Sequence, residues 1–169
     1  MSTLYIGIDN GVTGSIGMLD GGGSIMMVRT PVKKELSYTK KKQNITRINA
    51  PKLLMLFEDS SIQYENTRAM VERPFVNPGM FKSTLSAMRA LEATLNVLEI
   101  LSIGYEYIDS KEWQGALLPK GIKGTPDLKK ASAQIGCRLY PSQATIINKQ
   151  KDADGLLIAH YLMTKYNQK

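Results

Sequence analysis

The feature that most constrains this chain is its beginning: three short apolar runs separated by two tight-turn signals. Leu4-Tyr-Ile-Gly-Ile-Asp9 ends at Asp9-Asn10-Gly11, Thr13 to Leu19 ends at Asp20-Gly-Gly-Gly23, and Ser24 to Arg29 follows. Gly and Asn accept the positive φ that short hairpin turns demand, so such turns between apolar runs mark hairpins. The opening therefore predicts an antiparallel meander. The pattern then changes. Arg68-Ala-Met-Val-Glu72 and Gly104 to Ile108 read as further strands. Helical periodicity falls around them: Pro51 to Phe57, a long helix over 80–101, a third over 110–117, Asp127 to Ile135 closed by Gly136, and a last helix opening at Asp152 or Asp154 and running to Tyr166. Strands joined through helices pair in parallel. The expected fold class is α/β: a mixed five-stranded sheet, three antiparallel strands then two parallel, flanked by helices.

At 169 residues the chain suits a single domain over 1–169. Its one cysteine, Cys137, excludes an internal disulfide and a multi-cysteine zinc site. No run of about 18 apolar residues exists, so no membrane span is expected. Met1-Ser-Thr-Leu4 lacks a basic-then-apolar signal pattern. The expected compartment is the cytoplasm, or the host cytoplasm for a viral source. The net charge of +7 favours a polyanion, nucleic acid before an anionic membrane surface. The charge is concentrated. Over 31–49, Lys33, Lys34, Lys40, Lys41, Lys42 and Arg47 face a single acid, Glu35, and read as a mobile basic loop. A Gly-rich basic loop over 119–125 carries Lys120 and Lys123.

The long helix has two apolar stripes. One is Phe81, Leu85, Met88, Leu91 or Glu92, Leu95 and Leu98; the other is Ala87, Ala90, Thr94, Val97 and Leu101. One stripe covers a sheet. The second serves either a second subunit or a wider buried face within the chain.

The acids are few and fall at element ends. Asp9 closes the first strand, Glu72 closes the fourth, and Asp152 and Asp154 stand at the head of the last helix. Each has a plain structural reading: Asp9 as a turn former, Asp152 or Asp154 as an N-cap, Glu72 as a partner of Arg73. Together they can converge at one edge of a sheet. Clustered carboxylates repel, and a hard divalent cation with oxygen ligands relieves the repulsion. Two such ions about 3.5–4 Å apart clamp the attacking and leaving oxygens of a phosphodiester.

Ile6-Gly-Ile-Asp-Asn-Gly11, Thr13-Gly14, Met70-Val-Glu72 and Ala153-Asp-Gly-Leu-Leu-Ile-Ala159, in that order, resemble the RuvC family of Holliday junction resolvases, and its small phage-type members most. The resemblance spans nearly the whole chain. It implies a ribonuclease H-like fold and a metal-dependent, structure-selective DNA endonuclease that resolves four-way junctions by paired phosphodiester hydrolysis. It implies two Mg²⁺ (or Mn²⁺) ions per site. Asp9, Glu72 and Asp154 match the family's acids. Its fourth acid lies three residues before the last, where this chain has Lys151, so Asp152 is the fourth candidate. On one continuous helix Asp152 and Asp154 would diverge by about 200°. They meet only if Asp152 precedes the helix. Phe75 matches an aromatic that stacks on an unpaired base. Lys123, Lys129 and Lys130 fall where the family has lysines near the scissile phosphate; Lys33, Lys34, Lys40, Lys41, Lys42, Arg47, Lys120 and Lys151 complete the expected DNA contacts. A homodimer through helix 80–101 is also implied. His160, on an apolar helix, reads as structural.

Three other readings stand beside this one. Asp9-Asn-Gly-Val-Thr-Gly14 also resembles the phosphate loop of sugar kinases and chaperone-type ATPases, but those need two domains around a cleft. Another ribonuclease H-like nuclease, acting on branched DNA or RNA–DNA hybrids, would share the acids. A junction-binding protein without cutting activity would fit the lysine at 151.

Overall fold

The computed structural model describes residues 3–38, 40 and 42–167. Its main sheet contains β1 (Thr3–Ile8), β2 (Ser15–Asp20), β3 (Ile25–Arg29), β6 (Asn66–Glu72) and β7 (Gly104–Ile108). The order is β3-β2-β1-β6-β7, with β1–β2 and β2–β3 antiparallel and β1–β6 and β6–β7 parallel. This is the mixed sheet that the opening turns and the later helices predict. Among the described residues six α-helices surround it: α1 (Ala50–Ser61), α2 (Phe81–Ile100), α3 (Ser110–Leu117), α4 (Thr125–Leu139), α5 (Ala144–Gln150) and α6 (Asp154–Asn167).

Period-2 alternation sorts the sheet into two faces. Leu4, Ile6, Ile8, Ile16, Met18, Ala69 and Val71 pack with Leu53 and Phe57 of α1 and Ala90, Val97 and Leu98 of α2. Tyr5, Leu19, Met27, Met70 and Ile108 pack with Trp113 of α3 and with Leu156, Leu157 and Leu162 of α6. Each fully buried aliphatic or aromatic side chain contributes roughly 1.5–3 kcal/mol, so neither layer is dispensable. Of the two stripes on α2, the one through Ala90, Thr94 and Val97 is buried, with Leu98 of the other. Phe81 and Met88 of that other stripe are exposed.

Two local expectations differ from the structure. The basic stretch is not all loop: β4 (Val32–Leu36) and β5 (Asn44–Ile48) form an antiparallel hairpin. Its apolar signal is small: Ile48 is buried and Ile45 half-buried, while the lysines keep to solvent. Gly136 does not end α4, which runs on to Leu139. A β-carbon at Gly136 would lie 2.3 Å from the Ala153 Cβ, so this glycine marks close packing of α4 rather than termination. The stretch after Pro141 contains α5, which ends at Lys151 in a left-handed conformation (φ 68°).

The approach of α6 to the sheet positions everything that follows. A β-carbon at Gly7 would lie 2.1 Å from the Ala159 nitrogen, and one at Gly155 would lie 2.5 Å from the Ser15 carbonyl oxygen. Only residues without side chains let helix and strands come this near.

Candidate metal centre

Asp9 follows β1, on the sheet's central strand, and its N–H donates to the Ser15 carbonyl across the turn (3.0 Å). Asp154 is the first residue of α6 and is buried. Asp152 lies two residues before that helix, outside it, so the divergence expected on a continuous helix does not arise. The left-handed Lys151 turns the chain between α5 and α6. Carboxylate oxygens of Asp9, Asp152 and Asp154 all lie within 4.8 Å of one another. Residues 145 positions apart in sequence thus meet at the end of the central strand.

The head of α6 is held from three sides. The N–H of Ala153 donates to Ser132 Oγ (3.0 Å), that of Asp154 to Asp152 Oδ1 (3.4 Å), and that of Gly155 to Ser15 Oγ (3.0 Å). These bonds occupy N–H groups that a helix start leaves unpaired. Ser132 Oγ also donates to Asp154 Oδ1 (2.5 Å), fixing that carboxylate.

Glu72 stands beside the trio rather than within it. Its Oε2 accepts the indole N–H of the fully buried Trp113 (2.7 Å). The rigid α3 ring fixes one oxygen of this carboxylate. Burial raises the Glu72 pKa, the Trp113 bond opposes that, and the charge of Asp154 adds to the rise.

The site is short of positive charge. Burial lifts Asp9 to about 7, against the pull of Lys129 and with the repulsion of Asp154, Glu72 and Asp152. Asp154 is raised as well, again chiefly by burial. Hard oxygen donors this crowded suit Mg²⁺ or Mn²⁺ rather than soft-ligand metals.

Lys129, expected near the scissile phosphate, stands against the acids: its Nζ lies 2.6 Å from Asp154, 3.2 Å from Asp152 and 3.5 Å from Asp9. Burial disfavours the ammonium, but the Asp9, Asp154 and Asp152 charges outweigh it and raise its pKa. The sequence carried one signal for this. Lys129 and Ser132 are three apart on α4, so they share a face, and both reach Asp154.

A groove beside the acids is lined by Thr13, Pro126, Lys129, Lys130, Asn148, Lys151 and Asp152. Lys130 and Lys151 are exposed there, and Lys120 and Lys123 are exposed on the loop before α4. On the hairpin, Lys33 and Arg47 are not free: both ion-pair with Glu35, at 3.0 and 2.5 Å. Lys34, Lys40 and Lys42 are exposed; Lys41 lies outside the described residues. Phe75 is 78% exposed after Pro74. His160 is structural as expected, its Nδ1 2.5 Å from the Tyr140 hydroxyl.

Among solved structures the chain is similar to RuvC of Thermus thermophilus in complex with a Holliday junction substrate, at 14% identity over 94% of this chain and 90% of that one, with a TM-score of 0.51. A second structure of Thermus thermophilus RuvC is 16% identical over 94% and 91% of the two chains, with a TM-score of 0.49. No family model and no curated protein matches the chain. The likeness is one of fold, and it is the ribonuclease H-like fold that the motifs imply.

Proposed function

We propose that the chain is a divalent-metal-dependent, structure-selective endonuclease that cuts four-way DNA junctions. The observation that carries this reading is the meeting of Asp9, Asp152 and Asp154 at the end of the central strand, with oxygens within 4.8 Å, in a fold shared with RuvC. Those three, with Glu72 beside them, would hold the metal. When bound, a pair of Mg²⁺ or Mn²⁺ ions supplies Lewis-acid charge to the attacking and leaving oxygens of a phosphodiester.

The chain's own residues do the rest. Ser132 and Trp113 hold Asp154 and Glu72 in fixed orientation, so no side-chain order is lost when substrate arrives. Lys130 and Lys151 flank the groove that leads to Asp152 and neutralise backbone phosphates there. Lys120, Lys123, Lys34, Lys40 and Lys42 extend that positive surface. Phe75, exposed and stiffened by Pro74, offers a stacking face to a base at the crossover. The exposed Phe81 and Met88 of α2 form the face for a second copy of the chain. A two-fold dimer then presents two sites to two opposed strands.

A cleavage panel in Mg²⁺ with four-way, three-way, flap and RNA–DNA hybrid substrates tests this. Paired nicks in the four-way junction are expected, and Asp9→Asn or Glu72→Gln should bind that junction without cutting it. Preference for the hybrid would make the chain a hybrid nuclease. Binding without cutting, in both Mg²⁺ and Mn²⁺, would make it a junction-binding protein.

A further inference from the structure

One side chain pairs with all three converging acids at once. The Lys129 ammonium lies 2.6, 3.2 and 3.5 Å from Oδ2 of Asp154, Asp152 and Asp9. An ammonium is a compact point charge with three N–H donors, which suits three carboxylates better than a planar guanidinium would. We propose that Lys129 is a built-in competitor for the metal: it holds the acids together in the metal-free protein, must withdraw for a divalent ion to enter, and so sets the metal concentration the site requires. This rests on reading Asp9, Asp152 and Asp154 as metal ligands.

Two features make the competition local. First, α4 itself is anchored, because Ser132, one turn beyond Lys129, bonds both Asp154 Oδ1 (2.5 Å) and the Ala153 N–H (3.0 Å). The helix therefore stays in place while only the lysine stem moves. Second, the stem has somewhere to go. The Lys129 side chain is 36% exposed and lines the open groove with Lys130 and Lys151. A tethered cation acts at a high effective concentration. An entering ion must displace it at the cost of three contacts, and a doubly charged ion gains about twice the Coulomb energy of an ammonium in the same place. The device also explains how four acids are tolerated near one another before metal arrives.

The test compares wild type, Lys129→Gln and Lys129→Arg. Mg²⁺ is titrated calorimetrically at pH 8.5, in two buffers of different ionisation enthalpy so that protons released from Asp9 are counted separately. Melting is followed in chelator and in Mg²⁺. Lys129→Gln should bind Mg²⁺ about tenfold more tightly than wild type after proton correction. It should melt lower in chelator and gain more from Mg²⁺. Lys129→Arg, which keeps the charge but fits the three carboxylates less well, should bind Mg²⁺ with an affinity between those of wild type and Lys129→Gln. Equal or weaker Mg²⁺ binding by Lys129→Gln, with wild type binding normally, overturns the competition and leaves the metal site standing. Absence of Mg²⁺ binding in wild type and variant overturns the metal reading and this inference with it. If Lys129→Gln is unfolded in chelator, recovery of wild-type melting in Mg²⁺ supports the proposal, and failure to recover overturns it.

Discussion

Gly7→Ala is a one-methyl change on the strand that ends in Asp9, and its effect follows from packing. The added carbon would lie 2.1 Å from the Ala159 nitrogen and 2.3 Å from the Gly155 carbonyl oxygen. Both are backbone atoms of α6, so no side chain can rotate aside. Ordinary contact begins near 3.4 Å, and α6 must recede from β1 by about 1 Å to restore it. Overpacking of this kind costs about 1–3 kcal/mol, or about 2–12 °C of melting temperature in a chain of this size. The larger effect is on chemistry. Asp154 is the residue before Gly155, so the same recession draws Asp154 away from Asp9. A misplacement of about 1 Å in a reacting constellation costs roughly 10²-fold in rate. Single-turnover cleavage of a four-way junction, paired with calorimetric melting, measures both losses. Gly21→Ala is the control, since a β-carbon there meets nothing within 4 Å. Wild-type cleavage and melting in Gly7→Ala would refute the argument that glycine packing brings the acids together.

Other outcomes follow from the same geometry. Asp9 is raised from 3.8 to about 7. Its contribution to the stability of the metal-free protein is therefore fully present below pH 3.8 and is lost as pH rises toward 7; Mg²⁺ should reverse that loss. The same proton must leave before metal binds, so apparent Mg²⁺ affinity should fall up to about tenfold per pH unit below 7, as titration calorimetry would read. Trp113→Phe removes the indole N–H that donates to Glu72. Hydrogen bonds to charged groups contribute about 1.5–3 kcal/mol, so cleavage should slow about 10- to 100-fold while junction affinity holds; an unchanged rate would remove Trp113 from the account. Replacing Lys40 and Lys42 by Gln should reduce the slope of log affinity against log salt by about 2, whereas replacing Lys33 and Arg47, already paired with Glu35, should change it less.

The main sheet was legible because its signals are local. Asp9-Asn-Gly11 and Asp20-Gly-Gly-Gly23 mark turns whatever else the chain does, and the alternation of Leu4, Ile6 and Ile8 needs no partner to be read. The hairpin of β4 and β5 is obscured because Ile48 is its one fully buried described residue and its lysines swamp so small an apolar signal. Gly136 misled because a glycine that ends a helix and a glycine that admits a neighbour look alike in sequence; only the Ala153 Cβ at 2.3 Å separates them. Of the site, the acids were visible through their places at element ends, and the position of Asp152 outside α6 answers the spacing difficulty. What the sequence concealed were pairings between distant elements. Lys129 is 120 residues from Asp9, and Trp113 is 41 from Glu72. Nothing in either segment alone names its partner.

Asp9, Asp152 and Asp154 are proposed here as a divalent-metal site that Lys129 fills when metal is absent. Crystals soaked in Mn²⁺ and measured at a wavelength where manganese scatters anomalously address it directly. An anomalous peak is expected within bonding distance of Asp9 and Asp154 oxygens, with the Lys129 ammonium withdrawn into the groove beside Lys130. Saturating Mn²⁺ that leaves no peak between those carboxylates, with Lys129 still against them, would contradict it.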